Sequence, residues 1–174
     1  MLLDDAIKLI YNEYLPEKIS NWIDLGCGSG LFTSALANIV SEGSVIYALD
    51  KNIGKLTVSP NPNQIEIIPL KGDFEKDALN VTGLDGILMA NSLHYIKNKP
   101  PFIERISECV LNNGSFLIVE YDTAIANPWV PYPIAYDNLA RLFESAGFSS
   151  ATKLNEIPSV FGKAKIYSSL FRRK

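Results

Sequence analysis

The residues best placed to do chemistry lie together in "DLGCGSG", Asp24 to Gly30, a carboxylate followed by glycines at alternate positions: Gly26, Gly28 and Gly30. Glycine admits positive φ and lets a ligand approach bare backbone, and the start of a following helix offers free N–H groups. The residues Trp22 to Leu25 read as a buried strand. The loop therefore stands where open α/β sheets bind ligands, beyond the carboxyl end of a strand. Its spacing bears on which ligand. A dinucleotide loop is written G-x-G-x-x-G/A, and counting from Gly26 the last small residue falls at position 31, which is Leu31. Asp24 disfavours a pyrophosphate and suits hydrogen bonds from a ligand ammonium group. An NAD-dependent oxidoreductase remains only a lesser alternative.

Further polar residues follow later strand-like runs. Asp50 closes "SVIYALD", Asp73 and Phe74 follow "IEIIPLKG", Asn91 and Ser92 end "DGILMANS", and Glu120 and Asp122 end "SFLIVEYD". Singly, each has a plainer reading. Asp50 ends a strand, Asp73 caps a turn, and Asn91 or Ser92 caps a short helix. Their shared position at the carboxyl ends of successive strands favours a ligand. His94 is the one histidine, three residues after Asn91, and its unperturbed pKa suits a general base near neutral pH. Simple packing against Tyr95 is the alternative. Tyr11, Tyr95, Trp129 and Tyr132 are the aromatic residues expected to wall an acceptor, with packing over helix or sheet edge as the competing role.

The elements that must position these groups alternate between buried hydrophobic strands and helix-length segments, which predicts an α/β, doubly wound, mostly parallel seven-stranded sheet. A helix is expected over Leu2 to Leu15, stopped by Pro16, and a second over "LFTSALANIV". "KPPFIERISECVL" reads as a helix with prolines in its first turn and a stop at "NNG". "TAIANPWVPYP" is an irregular loop, "IAYDNLARLFESAG" an amphipathic helix, and Phe148–Leu154 with Lys165–Phe171 an antiparallel C-terminal hairpin. No linker divides the chain, so residues 1–174 are read as one domain. Within it, 1–16 covers the site, 122–133 forms a substrate-side loop, and 148–171 closes an edge.

From Ile19 onward the sequence resembles the class I S-adenosylmethionine-dependent methyltransferases, of small-molecule type and Rossmann-like fold. "DLGCGSG" matches the first motif of that family and "ALDKN" the second, with Asp50 about 20 residues after the glycine loop and Lys51 beside it. "KGDF" resembles the third motif, "ILMANSLHYI" the fourth, and "VLNNGSFLIVEYD" a later segment usually written Leu-x-Pro-Gly-Gly, from which Asn112 and Asn113 depart. The resemblance implies S-adenosyl-L-methionine as cofactor, held by Asp24, Gly26, Cys27, Gly28, Gly30, Asp50, Lys51, Asp73, Phe74, Asn91 and Ser92. In that family the residue at Asp50 takes the ribose hydroxyls, the one at Asp73 the adenine amino group, and Phe74 flanks the ring. It implies methyl transfer to a small, apolar or aromatic acceptor. "NSLHY" lacks the Asn/Asp-Pro-Pro-Tyr/Phe motif of members that methylate planar nitrogens. A cofactor-holding subunit that acts with a partner chain is the alternative.

Composition narrows the partners. A net charge of −3 argues against general nucleic-acid binding, and the basic tail "FRRK" reads as a solvated terminus. No apolar run reaches the roughly 18–20 residues of a membrane span. The first residues carry Asp4 and Asp5 and no basic lead, unlike a signal peptide. Cys27 and Cys109 are expected as free thiols in the cytoplasm, and with one histidine no metal site is expected. A homodimer or partner subunit is compatible with all of this.

Overall fold

A two-residue alternation along the central strands decides the layering of this molecule. The computed structural model describes residues 1–15, 17–59, 62–159 and 164–173. Pro16, the connection at 160–163 and Lys174 of the basic tail lie outside the described residues. Seven strands among them are β1 (Asn21–Leu25), β2 (Val45–Asp50), β3 (Glu66–Lys71), β4 (Leu84–Ala90), β5 (Val110–Tyr121), β6 (Ser150–Pro158) and β7 (Lys165–Arg172). They form one sheet in the order β3-β2-β1-β4-β5-β7-β6. β1 to β5 pair in parallel, and β7 lies antiparallel between β5 and β6. The expected doubly wound sheet with its antiparallel C-terminal hairpin is what the chain forms.

Successive strand side chains point to opposite faces. Ile23, Ile87, Phe116 and Phe171 go to one face, covered by α3 (Lys99–Ser107) and α4 (Tyr136–Ser145) through Ile103, Ile106, Leu139 and Phe143. Trp22, Leu88, Leu117 and Leu170 go to the other, covered by α1 (Leu3–Ile10) and α2 (Leu31–Ala37) through Leu9, Ile10, Phe32 and Leu36. The ring of Phe143 stacks on Phe171 at 4.1 Å between centroids, and this closes the hairpin end of the first layer. Among the described residues, β2 leads to β3 through one 3-10 turn, Ile53–Lys55, in place of an α-helix. Because β1 has β2 on one side and β4 on the other, the carboxyl ends of β1 and β4 flank the point where the winding reverses.

Three boundaries differ from expectation. α1 ends at Ile10, well before Leu15, because Asn12 takes the chain into a local turn: its Nδ2 donates to Ile10 O (3.0 Å) and its Oδ1 accepts from Tyr14 N (3.1 Å). The last carbonyls of α1, at Lys8 and Leu9, accept from Asn155 Nδ2 on β6 at 3.1 and 3.3 Å, which seats the helix on the hairpin. α3 stops at Ser107, and the Asn112-Asn113-Gly114 run lies inside β5, where Val110 already pairs with Leu84 across a register shift. β6 starts at Ser150 and continues to Pro158, beyond Leu154.

One close approach fixes the register of β1 against β4. Gly86 faces Trp22 in the ladder, and a Cβ there would collide with the buried Trp22 ring. Gly86→Ala is expected to lower stability by about 3 kcal/mol or more in urea melts, whereas Gly54→Ala, with open space around its Cβ position, stays near wild type. Equal stability of the two variants would mean that the indole is free to move aside.

Candidate active site

A cleft of about 570 Å³ opens where β1, β2 and β4 end, lined by Asp24, Gly26, Cys27, Gly28, Asp50, Lys51, Phe74, Asn91, Ser92 and Tyr95, with Ser29, Leu31, Phe32, Asn52 and Ala90. Its floor is main chain. The amides of Gly26 and Cys27 both donate to Leu49 O (2.8 and 3.1 Å), which carries the chain off β1 in a tight turn. Gly26 has φ +83°, and a Cβ there would come 2.7 Å from Ser92 Cβ. Only glycine fits this conformation against the side chains of Ser92 and Phe74. Ser92 in turn donates from Oγ to Leu25 O at 2.6 Å, which ties the tail of β4 to the end of β1. Between them Asn91 holds φ +54°, an unusual conformation for a residue with a side chain.

Two carboxylates give the cleft its charge. Asp50 accepts from Gly28 N (3.0 Å) and Asn52 N (2.7 Å), bridging the glycine loop to the end of β2. Asp24 is fully buried, and Thr33 in the first turn of α2 donates to its Oδ2 at 2.6 Å. Burial pushes the Asp24 carboxyl up to about 7, with the Thr33 hydroxyl opposing the rise and Asp50 adding to it. Burial and the same two carboxylates push the Cys27 thiol up to about 12, so Cys27 lines the cleft as a neutral group and not as a nucleophile. Asp24 Oδ1 and Asn91 Oδ1 are buried with no hydrogen-bond partner in the protein. A cleft with buried carboxylate oxygen left unpaired is built to accept from a donor, and best from a cation.

Ten residues proposed from sequence meet in the cleft, and six lie elsewhere. Gly30 starts α2 with φ +91° and packs against Leu56 and Thr57. Asp73 pairs with Lys51 at 3.0 Å and accepts from Glu75 N at 3.1 Å, leaving its neighbour Phe74 on the wall. Tyr11 lies in a separate groove between the tail of α1 and β6, with Lys8, Tyr14 and Leu154. No residue of α1 lines the cleft, since the helix is held on α2 and the hairpin. Trp129 is 81% exposed on the loop that follows β5. Tyr132 on the same loop donates its amide to His94 O at 3.0 Å, and its carbonyl accepts from the buried Lys99 Nζ at 2.6 Å. His94 is buried one residue from the cleft wall, its ring 4.4 Å from that of Tyr95. Glu120, also buried, accepts from His94 N (3.0 Å) through one oxygen, and its other oxygen lies 2.8 Å from His94 Nδ1. Asp122 pairs with Lys153 at 3.3 Å instead of facing the cleft.

Sequence reasoning passed over Thr33 and Asn52. Thr33 had a legible signal, since a strand-end carboxylate facing the first turn of a helix needs a donor there. Asn52 had a weaker one, the amide two residues after an aspartate.

A doubly wound sheet with a glycine-floored, two-carboxylate cleft at its reversal point defines an α/β protein whose cleft suits a small cationic ligand. Residues 3–155 match the family model described as a methyltransferase domain, and the chain belongs to that family. It is 28% identical over 114 residues to the ubiquinone biosynthesis O-methyltransferase of Rickettsia typhi, covering 66% of this chain and 45% of that protein. The chain thus spans less than half the length of the curated relatives it matches. Among solved structures, a methyltransferase from Methanosarcina mazei superposes with a TM-score of 0.68 at 15% identity, covering 92% of this chain and 94% of the other. The 1,6-didemethyltoxoflavin-N1-methyltransferase of Burkholderia thailandensis, solved with that compound and S-adenosylhomocysteine, gives 0.68 at 16% identity, covering 99% and 78%. These two likenesses speak for the fold.

Asp24 makes the unliganded fold pH-sensitive. An acid whose proton is held more tightly folded than unfolded stabilises the native state fully below about pH 4, and that contribution is lost as pH rises to about 7. Asp24→Asn keeps an acceptor for Thr33 without the titration. It is expected to gain on wild type by up to about 4 kcal/mol between pH 4 and pH 7 in urea melts of unliganded protein. Parallel pH curves for the two proteins would show that Asp24 ionises in the fold at no cost.

Proposed function

We propose that the chain transfers a methyl group from S-adenosylmethionine to a small acceptor. The observation that carries this reading is the unpaired, buried Asp24 Oδ1 in a cleft whose other wall is held by Asp50. An ammonium group and a ribose give those two carboxylates what they lack, a cation and a pair of hydroxyl donors. A pyrophosphate would meet like charge at both, which is why a nicotinamide dinucleotide is disfavoured.

The donor supplies a methyl group already activated by positive sulfur, so alignment and exclusion of water are the main tasks left to the protein. Asp24 and Asn91 would take the amino-acid end, Asp50 the ribose, and Phe74 the purine face. Tyr95, half exposed at the cleft wall, and the loop at 122–133 form the acceptor side. The named activity of a curated relative, an O-methyltransferase of ubiquinone biosynthesis, is in keeping with a small apolar or aromatic acceptor. Both cysteines are buried free thiols, which suits a reducing cytoplasm. Among the described residues no helix is long and apolar enough to cross a membrane.

Calorimetry tests the cofactor reading directly. S-adenosylmethionine and S-adenosylhomocysteine are expected to bind in the micromolar range and NAD not at all. Asp50→Ala is expected to weaken binding of the first two by roughly 1–3 kcal/mol, through the lost acceptor and the loosened Gly28 and Asn52 amides. A well-folded protein with no affinity for either sulfur nucleoside would sink the assignment.

A further inference from the structure

A buried side-chain pair, His94 with Glu120, links the tails of β4 and β5 beside the cleft, and its bonding pattern leaves one decisive atom over. Glu120 Oε1 accepts from the His94 amide at 3.0 Å, a group that can only donate. Glu120 Oε2 lies 2.8 Å from His94 Nδ1. The carboxylate and the ring are 1% and 3% exposed, so this clamp is dry. Lys99 is close enough to Glu120 for their charges to interact. A carboxylate that already accepts at one oxygen accepts at the other as well, so the ring proton sits on Nδ1. The second ring nitrogen, Nε2, is then a bare lone pair, and it is buried without a hydrogen-bond partner in the protein.

We propose that Glu120 is a positioning residue: it locks His94 in the Nδ1–H tautomer and so keeps Nε2 ready to take a proton from the hydroxyl of an acceptor. This rests on the methyltransferase reading and adds an acceptor class to it, a hydroxyl compound whose proton must leave. In balance, the acceptor oxygen forms a bond to the methyl carbon as the carbon–sulfur bond breaks, its electron pair staying with sulfur. The hydroxyl proton ends on Nε2, and no oxidant or reductant is needed. The groups that face the ring are Tyr95 at 4.4 Å, Tyr121 at 6.2 Å and Glu120, with Lys99 acting on Glu120 through its charge. Nε2 is closed off in this conformation, and proton transfer to it requires Tyr95, which packs on the ring, is 51% exposed and lines the cleft, to move aside. The main chain here is fixed, because Tyr132 N donates to His94 O and Lys99 Nζ to Ile96 O.

The test is nitrogen NMR of the single imidazole in the full chain, at a pH of about 8 where a free imidazole is neutral. Wild type is expected to show a protonated Nδ1 and an unprotonated Nε2. Glu120→Gln is close to isosteric, and its one carbonyl oxygen must serve the His94 amide, which turns its NH₂ toward Nδ1. The proton is then expected to move to Nε2, inverting the tautomer, while affinity for S-adenosylhomocysteine stays at the wild-type value, since Glu120 does not line the cleft. A wild-type ring protonated on Nε2 overturns the role of Glu120 without any variant, so poor folding of Glu120→Gln does not shield the proposal. An unchanged tautomer in a folded Glu120→Gln overturns it as well. If the tautomer is wrong while S-adenosylhomocysteine binds normally, the role of Glu120 falls alone; if that nucleoside does not bind, the cofactor reading falls with it.

Discussion

The structure turns on a charge that the fold leaves half satisfied. Asp24 ends β1 in the interior, with Thr33 on one oxygen and nothing on the other. An isolated carboxylate in such a place is expensive, and the protein reduces the expense by holding the proton until a cation arrives. The surroundings follow from that arrangement. Asp50 sits close enough to raise the cost of ionisation further, so the two acids together select against anions. The neutral thiol of Cys27 shows the same field acting on a third group. A site of this kind is less stable empty than filled, and its selectivity comes from that difference.

Position is supplied by the sheet. Parallel strands put their carboxyl ends on one rim, and the reversal between β1 and β4 keeps helices from covering the gap. The gap is then braced by contacts that few sequences allow. Gly26 passes against Ser92, Ser92 reaches back to Leu25, and Asn91 takes a left-handed turn between them. Asp50 ties the glycine loop to β2 from the other side. The floor is therefore assembled from backbone with its hydrogen bonds already made, and a ligand meets a rigid surface.

What could be read from the sequence divides along the same line. The buried strands are legible because alternation and apolar content decide them locally, and the rim residues are legible because each follows a strand. The partner of Asp73 is not legible, since Lys51 is a cation brought in from the end of β2 by strand pairing. The early end of α1 depends on Asn12 locally and on Asn155 from far along the chain, and only the first is visible in sequence. β5 begins inside a polar Asn-Asn-Gly run that reads as a helix stop, because its pairing with Leu84 outweighs local preference. His94 was recognised as a candidate, but not that Glu120 grips it twice, since a pairing 26 residues apart follows from β4 and β5 being neighbours.

The two sides of the cleft are built from different materials, and the difference has a functional logic. The side assigned to the cofactor is main chain locked between adjacent strands, where a substitution at Gly26 or Ser92 disturbs the sheet itself. The acceptor side hangs on a loop whose attachment is a few bonds to backbone: Tyr132 to His94 O, and the buried ammonium of Lys99 bridging Ile96 O and Tyr132 O. Burial lowers the pKa of that lysine, and the neighbouring Glu120 opposes the change. Asp122, Thr123 and Asn127 brace the loop through their side chains, whereas Trp129 and Ile125 project into solvent. Those two side chains can change without loosening the seat of the loop. On the proposed reading, a rigid donor side faces a loop with exposed side chains, and the buried His94–Glu120 pair lies where that loop is anchored.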